Sequence, residues 1–290
     1  PSVQLNLDNI RVEIETCLPP TAVTVSVPSI NDFGATLSWT APATGAPSAG
    51  YAYFISTTNT PPAYNDIGTG TVASNGITFS TLSPNTTYYV WVRSNCATSD
   101  VSTWSGPIAF KTLCNNVTAF VQNFDGVTSP AMPTCWEKVG ALGSCTTSTA
   151  TPVGSAPNVI YFYGSSTGAP TMRMQPVSNL GAGTHRLKFK MRSGSTTVFP
   201  SVEFGYLTDP YDPATFVSLS SFTPASATFA DFVYAPPAGT YSDFPAVKHT
   251  GTVAGSLYFD DFVWEAIPSC PDPTALVSAN VTSSSVDISW

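Results

Sequence analysis

The 290-residue chain is short of charge: 10% of its residues are Asp, Glu, Lys or Arg, and only ten are basic. With a net charge of −8 and those ten scattered along the chain, no basic footprint for nucleic acid exists. Histidine is almost missing, at two residues, and neither His185 nor His249 has a histidine or acidic neighbour at ligand spacing. Both read as surface residues. No run of 18 apolar residues occurs, so no membrane-crossing helix is encoded. There is no G-x-S-x-G, no H-E-x-x-H and no glycine-rich loop that opens a helix; "YGSSTG", Tyr163 to Gly168, reads as a plain loop. The chain therefore reads as non-catalytic.

What is present is proline, 26 residues, with 20 glycines and abundant Thr, Ser and Val. Short strands joined by turns give that composition, and no helical period interrupts it, so the expected class is all-β. The length favours two modules. Six cysteines without a C-x-x-C pair argue for disulfides over zinc and for an exported protein. Sequons at Asn85, Asn116 and Asn280 are short matches that carry little weight.

The chain also repeats itself. "LNLDNIRVEIETCLPPT" from Leu5 has a counterpart in "LYFDDFVWEAIPSCPDPT" from Leu257. Asp8 and Asp260, like Glu13 and Glu265, stand 252 positions apart; Cys17 and Cys270 stand 253 apart, and Trp39 and Trp290 stand 251 apart. Nearly one offset held over more than thirty residues marks a tandem repeat of about 252 residues. The expected organisation is 1–16 as the last strand of a preceding module, 17–113 and 114–267 as two complete modules, and 268–290 as the start of the next copy of the first.

In the first module, "LSPNTTYYVWV" places Leu82, Pro84, Thr86, Tyr88, Val90 and Val92 on one face by the period of two. This stretch, with Trp39 in "ATLSW", resembles the fibronectin type III family. The resemblance implies a β-sandwich in which Trp39 fills the core and Tyr88 is a corner tyrosine bonded to the backbone. In that topology Cys17 and Cys96 lie at the same pole, which implies a Cys17–Cys96 disulfide. By the same logic Cys270 pairs with a cysteine of a following module.

The second module carries ten strand candidates, among them "HRLKFKMRS", in which Leu187, Phe189 and Met191 alternate with Lys188, Lys190 and Arg192. That density implies a double-sheet jelly roll. The opening "NFDG" with "PTCW", the middle "VEFGYLTDPYDPATFVSL" and the closing "YFDDFVWE" resemble jelly-roll modules of the MAM and cleaved-adhesin type in large repetitive secreted or surface proteins of the Bacteroidetes. The resemblance implies a calcium ion near the first and last strands, held by Asn123, Asp125, Asp260 and Asp261. Gln122 departs from it, standing where an acidic residue is common. Asp209 and Asp212 in "TDPYDP" read as turn formers. Cys114 is expected to pair with Cys135, the alternative being Cys135 with Cys145.

Jelly rolls also hold sugars through aromatic stacking, and Tyr161, Tyr163, Tyr206, Tyr211 and Trp264 are the candidates for it. The expected role is that of a non-catalytic segment of an extracellular bacterial adhesin or structural fibre. Its partners are neighbouring repeats and surface glycans, with no nucleic acid and no membrane insertion. The alternative is a carbohydrate-binding region of a secreted hydrolase.

Overall fold

The computed structural model describes residues 16–97, 99–149, 154–270 and 277–289. The strand expected within 1–16 falls almost wholly outside the described residues. The chain divides into two compact units, Pro1–Asn115 and Asn116–Trp290. Apart from two short 3-10 turns, every element among the described residues is a β-strand.

The first unit is a sandwich of two antiparallel sheets. One comprises β1 (Thr21–Val25), β2 (Ala35–Thr40) and β5 (Gly76–Phe79); the other comprises β3 (Tyr51–Ser56), β4 (Gly70–Val72), β6 (Thr87–Ala97), β7 (Asp100–Val101) and β8 (Ser105–Lys111). β2 buries alternate residues, as the pleat dictates, while β6 is covered on both faces from Val90 to Ser94; Leu37 and Trp39 pack with Tyr88, Val90 and Val92 in one core. Trp39 meets Tyr51 edge-on at 5.2 Å, and Tyr88 stacks on Phe110 at 5.9 Å. The Tyr88 hydroxyl accepts a 2.8 Å hydrogen bond from the Ser83 amide. Cys17 and Cys96 form a disulfide across 79 residues.

The second unit is a double-sheet jelly roll. Its five-stranded sheet runs in the order β10 (Glu137–Val139), β13 (Thr171–Arg173), β18 (Pro245–His249), β15 (Val202–Leu207), β16 (Phe216–Phe222). The facing sheet runs β11 (Ser144–Ser148), β12 (Val159–Gly164), β19 (Gly255–Ala266), β14 (His185–Ser193), β17 (Ala230–Tyr234), with β9 (Phe120–Gln122) also paired to β19. Between them lie Met172, Phe204 and Val247 from one sheet, and Phe162, Phe189, Phe259 and Phe262 from the other. The hairpin of β20 (Val277–Ala279) and β21 (Asp287–Ser289) follows.

The remaining cysteines divide into bonded and free. Cys145 is a free thiol on the inward face of β11, within the jelly-roll core, and burial pushes it up to about 12. The alternative Cys135–Cys145 bond is thereby excluded. Cys114 and Cys135 are both disulfide-bonded, and Cys270 is free and exposed.

Candidate functional site

The long strand β19 is where the candidate residues gather. Its pairing with β12 stops at Phe259, and its pairing with β9 starts at Phe262. Asp260 and Asp261 fill the gap on a β-bulge, with Asp261 in the left-handed region at φ 50°. A bulge frees backbone donors and re-aims side chains, and here it leaves two carboxylates at a break in the ladder.

The loop after Val153 closes that break. The Ser155 amide donates to Asp260 Oδ2 at 2.6 Å, and the Asp261 amide donates to Asp260 Oδ1 at 2.8 Å. A Cβ at Gly154 would lie 2.7 Å from Asp260 Oδ2, so only glycine lets the loop come this close. Asp260 is left fully buried. Burial, reinforced by the nearby Asp261 and Asp125, raises its carboxyl to about 6 although two backbone amides oppose the shift.

Two charged neighbours complete the cluster. Lys190 donates to Asp261 Oδ2 at 2.9 Å, and that bond holds its ammonium above the usual lysine range. Asp125 accepts from the Asn158 amide at 3.0 Å and from Asn123 Nδ2 at 2.9 Å, so Asn123 braces Asp125. Gln122 is committed to the turn, its Oε1 accepting from the Phe124 amide at 2.7 Å. Asp261, Asp231 and Asp260 act on Lys190, Asp125 acts on Asp260, and the Ser155 hydroxyl lies 3.0 Å from Asp261 Oδ1. Of the three carboxylates Asp125, Asp260 and Asp261, only Asp260 is fully buried, Asp125 and Asp261 being half-buried, and among the described residues their oxygens do not converge on one point.

Next to the cluster, on the same outward face, lies an aromatic row. Along β12, Ile160 and Phe162 point into the core, so Tyr161 and Tyr163 point away from it. Tyr161 lies opposite Tyr258, and Tyr258 lies opposite Arg192. The two tyrosine rings are 5.5 Å apart, and the Arg192 guanidinium sits 3.9 Å from the Tyr258 ring centroid. Burial, then proximity to Tyr258 and Tyr163, raises the Tyr161 phenol. Tyr258 and Asp260 are two apart on β19, as Lys190 and Arg192 are on β14, so the row and the cluster are neighbours on one face of the sheet. Sequence reading missed Tyr258; its alternation with Leu257 and Phe259 is the signal that marks it.

The other aromatic candidates do not join this surface. Trp264 is 2% exposed, donates to Asn179 Oδ1 at 2.8 Å and stacks on His185 at 5.7 Å, so it is a core residue. Tyr206 packs against the core and against Tyr241 at 5.3 Å. Tyr211 is exposed near the other sheet, with Arg173 5.3 Å from its ring. His249 is also buried, not superficial, with Nδ1 accepting from the Gly251 amide at 2.9 Å. Asp209 and Asp212 accept from the amides of Tyr211 and Ala214, which makes them turn formers.

Residues 18–111 match the family model of the fibronectin type III domain. The first unit is a fibronectin type III domain. No curated protein matches the chain. Among solved structures, the K1 cleaved adhesin domain of Lys-gingipain from Porphyromonas gingivalis W83 is 12% identical, with a TM-score of 0.41 over 52% of this chain and 100% of that domain. The K2 cleaved adhesin domain of Lys-gingipain is 13% identical, with a TM-score of 0.42 over 51% of this chain and 99% of that domain. The CBM22-1 xylan-binding domain from Paenibacillus barcinonensis is 6% identical, with a TM-score of 0.37 over 52% of this chain and 95% of that domain. The jelly-roll architecture that follows the fibronectin type III domain stands on its own strand order. No helix among the described residues is long and apolar enough to cross a membrane.

Proposed function

We propose that the chain is a non-catalytic segment of an extracellular adhesin or structural fibre of a bacterial surface, in which fibronectin type III and jelly-roll modules alternate in a tandem repeat. One observation carries the reading. In the hairpin β20–β21, Val277 pairs with Ser289 and Ser278 with Ile288; in the fibronectin type III domain, Thr24 pairs with Ser38 and Val25 with Leu37. The two hairpins are related by the sequence offsets of 253 and 251, pair for pair. Leu37 is fully buried, whereas its counterpart Ile288 is 53% exposed. A hairpin with the register of a sandwich edge, but with its core residue uncovered, is what a further copy of that sandwich would bury.

Repetition gives such a protein reach and multivalency, so that weak contacts per module sum to firm attachment. The disulfide and the low charge suit an exposed stalk. Calcium held by Asn123, Asp125, Asp260 and Asp261 would neutralise the buried Asp260 carboxylate where β9, β12 and β19 meet. The test is electron microscopy of the protein purified from its source. Ordered strings or filaments with a two-body repeat support the proposal, and isolated single copies overturn it.

A second reading, a carbohydrate-binding region of a secreted hydrolase, draws on the outward Tyr161, Tyr163 and Tyr258. Glycan-array binding lost in Tyr258→Ala, with a catalytic domain in the same polypeptide, would favour it.

A further inference from the structure

The outer face of the five-stranded sheet, on the side of the jelly roll away from the tyrosines, holds a cavity of about 570 Å³. That is the size of a small-molecule site. Its floor is one cross-strand row, since Val139 pairs with Thr171 and Thr171 with Lys248. The loops 140–142, 165–169 and 250–252 and the Pro213–Ala214 turn form its walls. Gly251, at φ 73°, has a conformation that turns the 250–252 loop over this floor without strain.

The lining is chemically one-sided. It contains no carboxylate and no aromatic ring, but it contains Lys248 and the hydroxyls of Ser166, Thr167 and Thr252. Lys248 takes part in no ion pair among the described residues, although Glu203 lies opposite it on β15. Its ammonium is 5.5 Å from the Phe216 ring. On the strand beside it, Thr171 is fully buried, and its Oγ1 has no hydrogen-bond partner among the described residues. An unpaired buried hydroxyl costs stability, and Thr171 lies directly across the floor from Lys248, which forms no ion pair among the described residues.

We propose that this cavity is a second ligand site, independent of the tyrosine face and of the calcium cluster, and that it takes an acidic sugar by its carboxylate. One carboxylate oxygen would meet the Lys248 ammonium and the other the Thr171 hydroxyl, and the sugar hydroxyls would exchange hydrogen bonds with Ser166, Thr167 and Thr252. Without an aromatic platform, a neutral sugar lacks the stacking that ordinarily holds it. The carboxylate therefore decides selectivity.

The test is calorimetric titration of the whole chain with methyl β-D-glucuronide, against methyl β-D-glucoside and acetyl-dialanine as controls. The glucuronide should bind about tenfold or more tightly than the glucoside, and added salt should weaken it. Lys248→Met should erase that preference, with Lys248→Gln as a second variant should Met impair folding. Thr171→Val should weaken glucuronide binding while raising the melting temperature of the free protein, a pairing that a purely structural threonine would not give. Equal binding of glucuronide and glucoside, no glucuronide binding at millimolar concentration, or affinity indifferent to Lys248 overturns the proposal. Binding of acetyl-dialanine in place of the glucuronide overturns the assignment to sugar.

Discussion

The Ser83 amide donates to the hydroxyl of Tyr88, five residues later, at 2.8 Å. Around the same corner, Thr112 Oγ1 donates to the Ser83 carbonyl at 2.7 Å and accepts from the Thr86 amide at 2.9 Å. The chain entering β6 is thus tied to the end of β8 by side chains. Tyr88→Phe keeps the ring stacked on Phe110 but strands the Ser83 amide. It should destabilise the fibronectin type III domain by about 1–2 kcal/mol in a urea titration with unchanged m. A variant as stable as the parent would show that the ring alone holds the corner.

The Cys17–Cys96 bond closes a loop with a sequence separation of 79. Chain entropy assigns such a loop about 4.5 kcal/mol. The double variant Cys17→Ala/Cys96→Ala should lower the first unit's unfolding free energy by about 2–4 kcal/mol, the shortfall coming from residual structure in the unfolded state. Differential scanning calorimetry should show that transition moving while the jelly-roll transition stays. A shift of the jelly-roll transition would mean that the disulfide acts beyond its own unit.

Why some of this was legible in the sequence and some was not follows from the period of the strands. Leu187, Phe189 and Met191 alternate cleanly with charged residues, so their burial could be read directly, as could the Trp39 and Tyr88 positions. The same rule fails along β19. The bulge at Asp260 and Asp261 inserts one residue, so inward positions pass from Leu257 and Phe259 to Phe262 and Trp264. Trp264 was misplaced because a local pattern cannot announce that shift of phase. His249 follows Val247 in the inward register of β18, but a five-residue strand gives little pattern to read. The cavity over Thr171 and Lys248 had no signature at all, because its walls come from four segments distant in sequence.

His249 gives a pH dependence with a definite sign. Burial depresses its pKa below the ordinary value of 6.5, so the folded unit holds a neutral imidazole. The unfolded chain takes up a proton below about pH 6.5, and the folded one resists it. The stability from this residue is therefore present above that pH and is lost as pH falls toward the depressed folded value. His249→Asn keeps an acceptor for the Gly251 amide and does not titrate. The variant's jelly-roll stability, followed by urea titrations between pH 7 and 5, should fall less than the parent's. Parallel curves would show that folding leaves the His249 pKa unshifted.

Asp260 behaves with the opposite sign. Its carboxyl titrates near 6 in the fold, so its buried charge is a penalty above that pH which disappears as pH falls toward the unfolded value of 3.8. Calcium should offset the penalty. At pH 7.5, calcium in hundredfold excess over its dissociation constant should add about 2.7 kcal/mol to the jelly-roll unit, and magnesium should add less. Asp260→Asn should abolish the calcium shift and, without metal, melt above the parent. No response to calcium would leave Lys190 as the cluster's sole counter-charge.

The two hairpins allow the repeat to be tested by stability rather than by microscopy. Leu37 and Ile288 occupy the same register position, paired to Val25 and Ser278, yet Leu37 is sealed in a core and Ile288 is half exposed. Leu37→Ala removes buried methyl groups and leaves a cavity, so it should cost the first unit about 2–5 kcal/mol. Ile288→Ala in this same chain removes only solvated surface and should stay within about 0.5 kcal/mol. If Ile288 waits on the remaining strands of a sandwich, the source protein with its further copies should respond to Ile288→Ala as this chain does to Leu37→Ala. Equal and negligible effects of Ile288→Ala in both would mean that the shared register is a likeness of hairpins, and the tandem repeat would lose its structural support.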